Sequence, residues 1–295
     1  MHKYLRAIGM ASIHTRDQYR KVLRGSVSSA ARKAYTKTGD GQIFAEYYKD
    51  YGTGFGLCLR GDVEDGKVFF YEYAFPFLRG SSMCGSRDIL VDEHIEKKSF
   101  SCVSEDIYAG VAVICYLQNA VPYINAEEQG NWPDANVKMS LTGLSIEGKI
   151  LLPLYKDEED EKNARHYNLH KKDVVLKALD GDEDALEELS TSDIKLYHKL
   201  HVRIRDEDIF SLVDTSIIPY GVECDLYSIL GEIKSFRTEE NTFTHEKVVI
   251  MTLDVNGVLM DVAINRDDLL GEPDVGRRFK GVIWLQGELH FSQDT

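Results

Sequence analysis

The run Lys247-Val-Val-Ile-Met-Thr-Leu-Asp-Val255, then Asn256-Gly257, then Val258-Leu-Met-Asp-Val-Ala-Ile264 decides the fold of the C-terminal part of this chain. An Asn-Gly pair tolerates positive φ at both central turn positions, so it closes a tight hairpin between two apolar strands. The register this turn sets puts Met251, Leu253, Val255, Met260 and Val262 in the core. It leaves Glu246, Val248, Ile250, Thr252 and Asp254 facing outward on the first strand, with Leu259 and Asp261 on the second. Working outward, a strand candidate precedes the hairpin at Asp225 to Phe236, and a short helical piece follows at Asn265 to Leu270. Two more strand candidates, Phe279 to Leu285 and Glu288 to Phe291, complete the order of a small OB-like barrel. Residues 219–295 therefore read as a self-contained barrel domain without visible chemistry.

Barrels of this kind commonly bind oligonucleotides across their second and third strands. Here that outward surface is acidic and has no aromatic platform, the opposite of what a single strand needs. A structural or protein-contact role is expected of it.

The 295 residues favour two domains, and 43% hydrophobic residues suffice for packed cores. No apolar stretch approaches the ~20 residues of a membrane span. The opening Met1-His-Lys-Tyr-Leu-Arg6 lacks the apolar core of a signal peptide. The five cysteines are Cys58, Cys84, Cys102, Cys115 and Cys224, an odd number with no CxxC pair. That pattern argues against a disulfide framework or a structural zinc site and for a reducing cytoplasm.

The net charge of −14 disfavours general affinity for nucleic acid or anionic membrane. Its distribution is uneven. Residues 1–38 hold nine bases and one acid, a net +8 that leaves −22 for the remainder. Such a head is either a binding arm or a segment docked on an acidic part of its own chain or of a second copy, and docking is the favoured reading.

Thr15 and Gln18 have the spacing of a capping box, and Tyr19, Val22 and Leu23 make one apolar stripe that Gly25 is placed to end. Residues 42–153 are mainly strand-like. Phe55 to Arg60 and Lys67 to Phe75 flank an Asp65-Gly66 turn, Gly110 to Leu117 is an apolar run, and Asn125 to Asn136 reads as a loop. Val137, Met139 and Leu141 alternate with polar residues, and Glu147-Gly148 reads as a turn into Ile150 to Leu154. The expected fold class is α+β. Residues 1–155 form a mainly antiparallel sheet domain with helices, residues 156–218 an acidic helical connector, and residues 219–295 the barrel.

Four constellations invite chemistry. Asp180-Gly-Asp182-Glu-Asp184 resembles the start of a calcium loop, but Ala185 stands where Gly is needed and Thr191 where a bidentate Glu is needed. A helix stop and cap explain it better. His166 with His170, and His198 with His201, have helical spacing but no further ligands. Gly80-Ser-Ser-Met-Cys84-Gly-Ser-Arg87 carries a potential nucleophile between two arginines, without the glycine pattern of an elbow or the lysine of a phosphate loop. The strongest lead is aromatic. Phe69, Tyr71, Tyr73 and Phe75 share strand parity and hence one sheet face, which either packs as core or lines a ligand site.

Pro219-Tyr-Gly-Val-Glu-Cys-Asp-Leu-Tyr-Ser-Ile-Leu-Gly-Glu-Ile233, Asp267-Asp-Leu-Leu-Gly-Glu-Pro-Asp-Val-Gly-Arg-Arg-Phe-Lys-Gly281 and Met1-His-Lys-Tyr-Leu-Arg-Ala-Ile-Gly9 resemble signatures of one family from Gram-positive gut anaerobes. That family is known only as a domain of unknown function. The resemblance covers nearly the whole chain and implies a bacterial cytoplasmic protein, and it transfers no site residues.

The functional expectation is a non-enzymatic binding or scaffold protein, self-associating or bound to another protein, with no catalytic residue, cofactor or metal assigned. The alternatives are a nucleic-acid binder using the basic head and aromatic sheet, and an enzyme with a pocket near Tyr71, Tyr73 and Cys84. The candidate ligand-binding residues are Tyr71, Tyr73, Phe75, Arg79 and Arg87.

Overall fold

The computed structural model of the chain describes residues 2–38, 41–64, 68–83, 89–94, 99–106, 111–132, 137–153 and 215–291. The expected connector, both histidine pairs, the Asp180–Asp184 run, the Asp65-Gly66 turn, Cys84 and Arg87 lie outside the described residues.

A 3-10 turn at Lys3–Ile8 opens the chain, followed by α1 (Arg16–Ser28). The expected capping box is formed: Gln18 N–H donates to Thr15 Oγ1, and Thr15 N–H donates to Gln18 Oε1. The helix does not end at Gly25. Ser26, one residue on, donates its hydroxyl to the Val22 carbonyl and lies 2.9 Å from the Tyr51 hydroxyl, and this tertiary anchor carries the helix to Ser28.

β1 (Arg32–Lys37), β2 (Ile43–Gly52), β3 (Phe55–Glu64) and β4 (Val68–Leu78) form an antiparallel meander. Val22 and Leu23 of α1 pack in one core with Leu57 and Leu59 of this sheet. Its other face meets a sheet that has ten strands among the described residues. The elements there are β5 (Ile89–His94), β6 (Ser99–Asp106), β7 (Val111–Leu117), α2 (Ala120–Glu128) and β8 (Lys138–Leu151). Beyond the connector come β9 (Ser216–Pro219), β10 (Leu226–Glu240), β11 (Lys247–Val255), β12 (Val258–Asn265), β13 (Leu269–Leu270) and β14 (Arg278–His290). Part of the expected loop at 125–136 is thus the end of α2, whose Pro122 sits in the first turn, where a missing N–H costs nothing.

Five strands close into a barrel in the order β10-β11-β12-β8-β14 and back to β10. All contacts are antiparallel except β12 with β8. The hairpin is as expected, with Asn256 at φ 54° and Gly257 at φ 84°. The barrel is not self-contained, however. Its fifth place is taken by β8, from before the connector, and not by a second strand after Phe279. Glu147-Gly148, expected as a turn, and Gln286-Gly287, between two expected strands, both run straight through long strands, because their glycines admit bulky neighbours. A Cβ on Gly148 would lie 2.3 Å from the Phe279 ring.

Two cores result. One fills the barrel and extends under the β5-β6-β7 wing, with Met251, Leu253, Val255, Met260 and Val262 inside as expected. The other lies between the barrel wall, the meander and the N-terminal segment. No helix among the described residues is long and apolar enough to cross a membrane.

Candidate functional site

The outer wall of β11 and β12 is the surface on which an OB-like barrel would hold a ligand, and here the chain covers it with itself. Val248 and Ile250, expected to be free, are buried beneath Tyr4, Leu5 and Ile8. Tyr4 stacks on Trp284 of β14 with ring centres 5.5 Å apart. The backbone is stitched down as well. Asn241 Nδ2 donates to the Ile8 carbonyl at 2.7 Å, and the Ala11 and Ser12 amides donate to the Glu246 carboxylate at 2.9 and 2.8 Å. Asp261 is no exposed acid. It is buried and accepts from Thr252 Oγ1 and the Ser81 amide, both at 2.6 Å. Leu259 alone of the three expected apolar residues is exposed.

Part of the basic head docks internally, on Lys3–Glu223, Arg6–Asp268 and Arg32–Glu288 ion pairs. The rest stays outside. Arg16, Arg20, Lys21, Arg24, Lys33 and Lys37 are exposed, and among the described residues Arg20 has the only ion pair of the six, with Asp17 on its own helix.

The aromatic candidates do not share one face. Arg60 pairs with Tyr73 but Gly61 with Tyr71, so Glu72 is an extra residue on β4. That bulge reverses the parity beyond it. Tyr73 and Phe75 turn toward the barrel, where Phe75 is fully buried against Tyr116 at 4.8 Å. Tyr71 falls on the opposite, outer face with Phe69 and Tyr47. There Tyr47 and Phe69 stack at 4.0 Å, the Tyr35 and Tyr47 hydroxyls meet at 3.0 Å, and Lys33 Nζ stands 4.6 Å above the Tyr47 ring. Burial pushes the Tyr47 phenol up to about 12, with help from its bond to Tyr35. Tyr35 and Tyr71 remain 47% and 40% exposed, so this ladder presents two open rings on the face where Lys33 and Lys37 also lie. Arg79 is held apart, on Asp50 at 2.9 Å.

The densest set of ionisable groups was not anticipated. Glu46 of β2 and Arg60 of β3 form an ion pair at 2.7 Å with side-chain exposures of 0% and 1%. Arg60 also donates to the Tyr116 hydroxyl at 3.0 Å and the Leu117 carbonyl at 2.8 Å. Glu46 accepts from the Tyr48 hydroxyl and from the Ala120 and Val121 amides, capping α2 from a different sheet. Burial opposes the Arg60 charge, but Tyr116 and Glu46 outweigh it and hold the guanidinium above its usual range. Burial drives the Tyr48 and Cys58 protons the same way. Their partners come from β2, β3, β7 and α2, so the cluster fastens sheet to barrel. A signal was present: one acid in Phe44-Ala-Glu46-Tyr-Tyr48 and one base in Phe55-Gly-Leu-Cys-Leu-Arg60 interrupt apolar strands, and a buried charge requires a partner.

A family profile described as "Domain of unknown function, E. rectale Gene description (DUF3881)" matches residues 5–287. The chain belongs to this family. A DUF3881 chain thus spans the meander, the barrel and the segment between them, since the match runs through all three. Neither the curated proteins nor the solved structures contain a match.

Proposed function

We propose that this DUF3881 protein is a non-enzymatic, cytoplasmic binding protein whose contact surface is the outer face of the meander beside α1. The observation that carries this reading is the pairing of exposed rings, Tyr35 and Tyr71, with cations left unpaired among the described residues, Lys21, Arg24, Lys33 and Lys37. Aromatic rings and unspent cations on one face suit an acidic partner surface. A second copy supplies one, because the chain carries −22 outside its first 38 residues. The cytoplasmic assignment rests on free Cys58, Cys102, Cys115 and Cys224.

A second reading, single-stranded nucleic acid on the same face, is favoured by the open Tyr35 and Tyr71 rings, on which bases stack. Sedimentation velocity of the full chain across concentration and salt separates the two. Self-association weakened by salt and by Lys21→Glu with Arg24→Glu supports the first. A monomer that binds a labelled oligonucleotide through Tyr71 overturns it in favour of the second. A monomer that binds none overturns both.

A further inference from the structure

The β5-β6-β7 wing joins the barrel where β14 pairs in parallel with β7, Gln286 with Tyr116 and Gly287 with Leu117. Three sulfurs converge at that junction. Cys102 of β6 and Cys115 of β7 are cross-strand partners. Met139 of β8 accepts from both, with Sδ 3.6 Å from Cys102 Sγ and 3.9 Å from Cys115 Sγ. All three residues have 0% exposure. Gly287 forms the remaining wall. A Cβ there would lie 2.7 Å from Cys115 Sγ, 2.9 Å from Met139 Sδ and 3.1 Å from Cys102 Sγ. All three sulfurs close on the position of the side chain that Gly287 lacks.

Cysteine and methionine also serve as plain core filler. Filler needs no common focus, and these three sulfurs have one at the missing side chain of Gly287. Two sulfurs 3.6–3.9 Å apart can share one cation at a metal–sulfur distance of about 2.3 Å, and Met139 stands at that separation from each thiol. We propose that Cys102, Cys115 and Met139 form a binding site for a soft monovalent cation, copper(I). Thiolate and thioether donors select copper(I) over harder ions. Zinc takes four ligands, and the fourth direction here is the Gly287 backbone. One thiol proton leaves as the cation enters, so the copper–thiolate unit is neutral and the apolar core gains no net charge. Cysteine spacing could not reveal such a site, because its ligands come from three strands and one of them is a methionine.

The test is an anaerobic titration of the full-length protein with copper(I) held by a chromophoric chelator. The expected result is one copper(I) per chain, with near-ultraviolet sulfur-to-copper absorption and a raised melting temperature. Affinity should fall at least tenfold in Met139→Leu, a volume-conserving change that keeps the fold, and should vanish in the Cys102→Ala, Cys115→Ala double variant. Gly287→Ala should also weaken it by filling the cradle, while Cys224→Ser should leave it unchanged. Three results overturn the site: no copper retained against the chelator, binding that is lost with Cys224, or full affinity in folded Met139→Leu.

Discussion

Ala263 on β12 lies beside Leu144 on β8 in parallel register, and the short ladder they belong to, from Asp261↔Thr142 to Ile264↔Ser145, closes the barrel. Without β8, both β12 and β14 would present open edges. A fragment of residues 215–291 is therefore expected to be unfolded or aggregated by circular dichroism, and to fold when co-expressed with residues 2–153. For the same reason, a chain cut within 154–214 should elute as one particle. A 215–291 fragment with native-like NMR dispersion would contradict this.

What the sequence disclosed was local. The Asn256-Gly257 hairpin and the Thr15–Gln18 cap are written in neighbouring residues, and both formed. The partnership of Leu144 with Ala263 leaves no local mark, so nothing in neighbouring residues points to β8 as the barrel's fifth strand. Val248 and Ile250 were rightly read as apolar and facing out of the barrel, but the partner that covers them is Tyr4, Leu5 and Ile8 of the same chain. Parity put Tyr71 with Tyr73, and one bulged residue, Glu72, undid it. Of the candidate residues, then, Tyr71 lies on an open face and Phe75 is buried.

Leu253 points into the barrel and Ile250 out of it, yet both are buried, at 0% and 1% exposure. Leu253→Ala should cost ~2–5 kcal/mol by emptying a packed site. Ile250→Asp should destabilise at least as much, because it places a carboxylate beneath the N-terminal segment. The two should differ in kind. Hydrogen exchange should show Ile250→Asp releasing residues 3–13 while β11 stays protected, whereas Leu253→Ala should weaken the barrel throughout. Uniform loss of protection in both would show that the segment is not a separate layer.

The Glu46–Arg60 pair should behave as a buried unit. Glu46→Leu leaves Arg60 charged in the core and the Ala120 and Val121 amides without an acceptor, so it should cost ~3–5 kcal/mol in chemical denaturation. Adding Arg60→Met should recover part of that loss by removing the stranded charge. Recovery should be incomplete, since the α2 amides stay uncapped. Strictly additive losses in the double variant would mean that the two residues do not act on one another.

Acid should loosen the cover of the barrel face before it melts the barrel. Burial favours the neutral form of Glu246, but hydrogen bonds from Ser12, Ala11 and Asn265 outweigh it and hold the carboxyl below its usual range. Glu239, which accepts from the Thr53 amide at 2.7 Å, is lowered in the same way. A carboxyl with a depressed folded pKa contributes stability above its unfolded value, about 4.3, and loses it as pH falls through the lower folded value. These two groups should therefore add no pH dependence above about pH 5, and stability should decline below about pH 4. Exchange protection at Ile8 to Ile13 should fall first, because that segment is tied down through Glu246. Glu246→Gln should show weaker protection there at neutral pH and a flatter decline in acid. An unchanged acid profile in Glu246→Gln would remove this carboxylate as the link between pH and the covered face.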